Sequence, residues 1–306
     1  MSLIVAFGNP VYDEIVTPSV RTEGRVLSGC STNACLALSR LGHRTALVGR
    51  VGADRHEQLL ADLRRYKVAA MVEPGAETGG FQLIYDARGD RTLDVLGVAD
   101  PIAHIPDACA DARALIIGPI MQETSLDFIE QVCARSQAPV FLDPQGLLRR
   151  IGEGGRIEHF APEDFARVAR RCAVVKANEL ETYVLTGIAP REDPAAAARA
   201  LRAFGCQIAI VTLAEAGSFI DSGERQIPIP AYATDARDPT GAGDTYMAGF
   251  LHAFLEDPDD LFRAGCCGAA TASIWIEHTG PDAPIDAREV ARRTQALLDA
   301  GVPGGG

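Results

Sequence analysis

Apolar and polar positions recur along the chain with two different periods, and the change of period marks the elements. Leu3-Ile-Val-Ala-Phe7 is a continuous apolar run closed by Gly8, the pattern of a strand buried on both faces. Similar short runs return at 45–48, 114–117, 139–142, 173–176 and 207–212. Helical patterns lie near 28–42, 55–66, 124–136, 162–171, 178–186 and 192–204. Strand alternating with helix predicts a parallel sheet covered on both faces. Two stretches depart from this rhythm. Residues 14–27 show patchy alternation, and 79–96 alternate around a turn at 86–91, which predicts a small β lid beside the main sheet. The last strong pattern is a small-residue turn from 238 followed by Met247, Phe250, Leu251 and Phe254 at i, i+3, i+4 and i+7. That helix turns one face inward and stops at Asp257-Pro258.

No internal repeat or linker separates independent domains. The expected organisation is a discontinuous main α/β domain (1–13, 28–76 and 98–300), a lid (14–27 and 77–97) and a flexible tail (301–306). With 306 residues, 47% of them hydrophobic, the chain can bury a large core. The net charge of −12, with only two lysines (Lys67 and Lys176), argues against a nucleic-acid partner. Any bound nucleotide must be held by local devices. The eight cysteines form no C-x-x-C pair and no zinc-spaced cluster, and read as reduced core thiols of a cytoplasmic protein. No apolar run reaches membrane-spanning length, so no membrane partner is expected.

Candidate chemistry concentrates in Asp238-Pro-Thr-Gly-Ala-Gly-Asp244. Gly241, Ala242 and Gly243 stand where the first N–H groups of a helix lack intrahelical partners, and small side chains let an anion approach. Asp244 follows at once. A carboxylate there opposes plain phosphate binding, yet it suits taking a proton from a hydroxyl that attacks a phosphate. An ordinary helix start after a glycine turn is the plain alternative. Asn178 and Glu181 likewise read as a capping box, whatever else they do.

The whole string 238–250 resembles the C-terminal signature of the PfkB (ribokinase-like) family of carbohydrate and nucleoside kinases. Other stretches resemble that family's motifs in its own order. Asp13, after the first strand, matches an Asp that grips substrate hydroxyls, although Val11 stands where Asn is frequent. Ser28-Gly-Cys-Ser-Thr-Asn-Ala-Cys35 resembles Gly-Gly-x-x-x-Asn-x-Ala, keeping Gly29 and Asn33. Residues 49–54 and 143–146 resemble a Gly-x-x-Gly-x-Asp turn and an Asp-Pro turn near the phosphates. Residues 176–181 carry Asn-x-x-Glu, and 211–217 resemble Val-Thr-x-Gly-x-x-Gly with Ala214 in place of the first glycine.

The resemblance implies a ribokinase-like three-layer α/β/α fold and an ATP- and Mg²⁺-dependent kinase acting on an alcohol of a sugar-like molecule. Asp244 is then the general base and Gly241, Ala242 and Gly243 the anion hole. Asp13, Gly29, Asn33 and Asp238 hold the substrate. Asn178, Thr212, Gly217, Gly241 and Gly243 hold the nucleotide, and Glu181 positions the metal. Residues 278–281 fall where some relatives bind a monovalent cation, and lids in the family also pair subunits into homodimers. Arg91 in the hairpin reads as a solvated side chain or one that reaches an anion. The small-residue helix 264–273 reads either as a flat wall for a base or as close helix packing. A nucleoside kinase is the near alternative, and a non-catalytic ligand-binding regulator a remoter one. A dinucleotide oxidoreductase would need Gly-x-Gly-x-x-Gly after the first strand, and Phe7-Gly-Asn-Pro does not supply it.

Overall fold

The computed structural model describes residues 3–86 and 91–301. The turn residues 87–90, the Arg91 side chain and 302–306 of the expected tail lie outside the described residues. Gly301 itself ends a helix.

Among the described residues, strands β1 (Leu3–Phe7), β2 (Val11–Val16), β3 (Val26–Ser28), β4 (Arg44–Gly52) and β5 (Val68–Gly75) come first. They are followed by β6 (Gly80–Tyr85), β7 (Arg91–Gly97), β8 (Ala114–Ile117), β9 (Val140–Leu142), β10 (Arg149–Ile151) and β11 (Ile157–His159). The last are β12 (Val174–Asn178), β13 (Ile208–Thr212), β14 (Ser218–Asp221) and β15 (Gln226–Ile229). Helices α1 (Cys30–Arg40), α2 (Ala53–Arg65), α3 (Leu126–Ala134), α4 (Phe165–Ala169) and α5 (Glu179–Thr186) fall between strands. So does α6 (Pro194–Arg202), while α7 (Ala242–Phe254), α8 (Leu261–Ile276) and α9 (Ala287–Gly301) follow the last strand.

The main sheet has nine strands in the order β15-β14-β13-β12-β9-β8-β1-β4-β5. It is parallel from β13 to β5, while β14 and β15 run antiparallel at one edge. Alternate residues of each strand enter opposite cores. Ile4, Ala6, Ile116, Phe141, Val174 and Ile210 pack with α1, α2, α7, α8 and α9. Val5, Phe7, Ile117, Leu142, Val175 and Val211 pack with α3 to α6. Three layers result, as the strand–helix rhythm requires. A separate four-stranded sheet, β3-β2-β6-β7, stands at one side, with β2 and β6 parallel and the other pairs antiparallel. Asp13 lies within β2 of that small sheet, in register with Val26.

Chain order places the site. From β1 the chain goes to β4 and β5 on one side and returns to β8, β9 and β12 on the other. Between β1 and β8 the connections diverge, and a crevice opens at their carboxyl ends. The backbones meet closely there, because a Cβ on Gly8 would strike the Gly118 carbonyl oxygen. Glu123 ties the two loops together by accepting N–H groups from Asn9 (2.9 Å), Ile120 (2.8 Å) and Met121 (2.7 Å).

The face of α7 foreseen from its spacing is buried as expected. Met247, Phe250 and Leu251 are inaccessible, each contributing about 1.5–3 kcal/mol by transfer from water. Phe141 of β9 meets the Phe254 ring edge-on at 5.4 Å. The small-residue helix, α8, is a packing surface. Ile220 and Ile229 fill the space beside Gly265, and the Tyr246 ring that beside Gly268. All eight cysteines are free and seven are buried, in keeping with reduced core thiols. No described helix is long and apolar enough to cross a membrane.

A Cβ on Gly249 of α7 would meet the Cys267 carbonyl oxygen at 2.6 Å, and a backbone atom cannot swing aside. Gly249→Ala therefore lowers unfolding free energy by about 1–3 kcal/mol despite the higher helix propensity of alanine. Urea denaturation with an unchanged m-value checks this.

Candidate active site

The turn before α7 is built for close approach. Gly241 has φ +83°, a conformation alanine and larger residues resist, and no side chain caps the helix. Asp244 stands in the first turn and is only partly covered. The Asn33 amide, from the first turn of α1, donates to its Oδ2 at 2.9 Å. The expected trio of anion-binding N–H groups is reduced, because Ala242 already donates to the Pro239 carbonyl at 3.2 Å. Gly241 and Gly243 remain.

Three further side chains crowd behind Asp244. Asp143, at the end of β9, pairs with the ammonium of Lys176 from β12 at 2.7 Å, with both side chains 3% exposed. That ammonium lies against the glycine turn, since a Cβ on Gly243 would sit 2.6 Å from Nζ. Cys30, Asp143 and Asp244 bring their ligand atoms within 4.8 Å of one another. Glu181 completes the cluster behind the capping box. Its Oε2 accepts the Asn178 N–H (2.8 Å), its Oε1 accepts the Asn178 amide (2.8 Å), and its own N–H goes to Asn178 Oδ1 (2.9 Å).

Three carboxylates lie about one ammonium in a desolvated site, and the proton affinities reflect burial first and the neighbouring charges second. Burial, then repulsion by Asp143, lifts Glu181 to about 7, with Lys176 pulling the other way. Burial and Asp143 also raise Asp244, against the opposing pull of Lys176, Asn33 and Cys30. Burial works to lower Lys176, but Asp143 and Glu181 outweigh it and hold it protonated. Cys30 is pushed far upward by burial and by Asp143 and Asp244, so it remains a thiol that donates to Asp244.

The other residues expected from the sequence take separate positions. Gly29 (φ +118°) begins α1, where a Cβ would crowd the Asn9 carbonyl at 3.0 Å. Asp13 is 4% exposed, and its Oδ1 accepts the Phe81 N–H of β6 at 2.8 Å. Asp238 is 1% exposed and holds the turn by accepting the Thr240 N–H at 2.9 Å. The Thr279 side chain also hydrogen-bonds it, which engages the expected cation loop. Thr212 pairs with Asn178 across β12 and β13. Gly217 (φ +88°) ends the following turn, and Ala214 takes φ +50°, so the alanine found in place of glycine does carry strain.

Sequence reasoning missed Lys176 as a member of the site. It also missed Arg149, a 4%-exposed guanidinium that donates to Gln145 at 2.7 Å and faces the Phe81 ring. A lysine inside an apolar strand was the available signal for the first.

Comparison with known proteins finds the pfkB family carbohydrate kinase model matching residues 8–288. An uncharacterized sugar kinase of Archaeoglobus fulgidus is 29% identical, over 80% of this chain and 96% of the relative. A cytidine kinase of Thermococcus kodakarensis is also 29% identical, over 81% of this chain and 87% of its own. Among solved structures, a pyrophosphate-dependent kinase of the ribokinase family superposes with a TM-score of 0.81 at 21% identity. That alignment covers 94% of this chain and 99% of the other.

Two predictions follow from the charge cluster. Glu181 titrates at about 7 when folded and near 4.3 when unfolded. Its contribution to stability is thus complete below the unfolded value and is lost as pH rises through 7. The melting temperature of the ligand-free protein, followed from pH 5 to 8, should fall with a slope that Glu181→Gln removes. Lys176→Met strands Asp143 and lowers stability by about 3–5 kcal/mol. Any turnover should drop by about 10²–10³ in kcat, the cost of losing a preorganised positive group.

Proposed function

This chain belongs to the pfkB family of carbohydrate kinases, and on that premise we propose that it transfers the terminal phosphoryl group of ATP to an alcohol of a sugar or nucleoside. The observation that carries the reading is the partly exposed Asp244 carboxylate, held by Asn33 at 2.9 Å beside the uncapped start of α7. The acceptor hydroxyl gives its proton to Asp244 as its oxygen bonds to phosphorus, and the bond to the leaving phosphate oxygen breaks. The N–H groups of Gly241 and Gly243, the helix dipole and the Lys176 ammonium face the charge spread over the transferring group. Asn178, Thr212 and Gly217 hold the nucleotide, and Asp13, Gly29 and Asn33 the acceptor. Asp238 acts by holding the turn.

Magnesium fits the residues present. Asp143, Glu181 and Asp244 offer hard oxygens, and the one sulfur among them, Cys30, is held as a thiol and so is not a ligand. When bound with ATP, the ion would neutralise phosphate charge, and Glu181 is the residue to orient it. A cytoplasmic location, and pairing of two copies through the small sheet where Ile84 is 40% exposed, belong to the same proposal.

The test is ADP release with ATP–Mg²⁺ over a panel of sugars and nucleosides, with pyrophosphate as an alternative donor. One acceptor should turn over with ATP, and Asp244→Asn should lower kcat by about 10²–10⁴. Turnover untouched by that substitution would remove Asp244 from its role, and turnover with pyrophosphate alone would remove ATP.

A further inference from the structure

Thr240 immediately precedes the glycine turn, and each of its polar groups is held from a different direction. Its N–H goes to Asp238 Oδ1 at 2.9 Å, within the turn itself. Its carbonyl accepts the Trp275 indole N–H at 2.8 Å, from α8. Its hydroxyl donates to the Tyr85 phenol oxygen at 3.0 Å, at the end of β6 in the small sheet, 155 residues away in sequence. Both partners in this last bond are buried, Tyr85 to 7% and Thr240 to 8%.

The restraint passes directly into the site. At Gly241 a Cβ would lie 2.8 Å from both Trp275 Nε1 and Asn33 Nδ2. Gly241, the next residue, thus runs close beside both the indole that holds Thr240 and the amide that orients Asp244. Of the three partners, Asp238 and Trp275 belong to the main body, and only Tyr85 comes from the small sheet.

We infer that Tyr85 is a positioning residue for phosphoryl transfer, fixing through Thr240 the turn that presents Gly241 and Gly243 when the small sheet lies against the body. What the turn does rests on the kinase reading, but how it is held does not. The turn has all its restraints only while the crevice is covered, so the anion site is complete when water is excluded from it.

Tyr85→Phe keeps the ring and removes the acceptor oxygen, and Thr240→Val keeps the shape and removes the donor. Amide hydrogen exchange of residues 238–245 in the ligand-free protein should speed up about two- to tenfold in either variant, the size of one neutral hydrogen bond. The double variant should go no further, since both changes break the same bond. With ATP–Mg²⁺ and the acceptor found in the panel, kcat should fall by a similar factor while KM for ATP stays within about twofold. Unchanged exchange in 238–245 on Tyr85→Phe, or effects that multiply in the double variant, would overturn the assignment. If the wild type phosphorylates no acceptor, the kinase reading fails, while the exchange measurement still decides the role of Tyr85.

Discussion

A single buried ammonium sets the terms for the site. Lys176 is the cation around which the carboxylates of Asp143, Glu181 and Asp244 are gathered, and none of the three would tolerate its surroundings without it. Desolvated carboxylates repel one another strongly, and the ammonium offsets that repulsion at Glu181 and Asp244. The pairing with Asp143 also ties the end of β9 to the middle of β12. The positive charge of the site and a tie between two neighbouring strands are thus one interaction.

Much of the fold was legible because its signals are local. Apolar runs, helical spacing and glycine turns each lie within a dozen residues, and the inward face of α7 at Met247, Phe250 and Leu251 was readable from spacing alone. β5 and α9 were not read. β5 is a sheet edge with several exposed positions, and α9 is mostly polar, with Val290 and Leu297 as its buried anchors. Neither has an apolar run long enough to stand out.

The site divides in the same way. Asp244 follows a glycine turn that marks it, and Asn33, Asn178 and Glu181 were found through motifs that resemble the family's, whereas Lys176 looks like a strand residue until Asp143 and Asp244 are brought beside it. The contact between Tyr85 and Thr240 has no local signature at all. Ala242 shows the opposite limit. Its place in the turn was plain, but only the backbone geometry shows that its N–H is already spent on Pro239.

One face of the main sheet is shared by the early helices α1 and α2 and the late helices α7, α8 and α9. Phe141 of β9, Ile220 of β14 and Ile229 of β15 therefore await partners that follow them in the chain, whereas α1 and α2 can cover β1 and β4 early. Until residue 242 and beyond are available, the half-made protein carries part of this apolar face uncovered. Its synthesis thus has a long interval of vulnerability to aggregation, and a chain cut short before α7 would keep that sticky surface permanently.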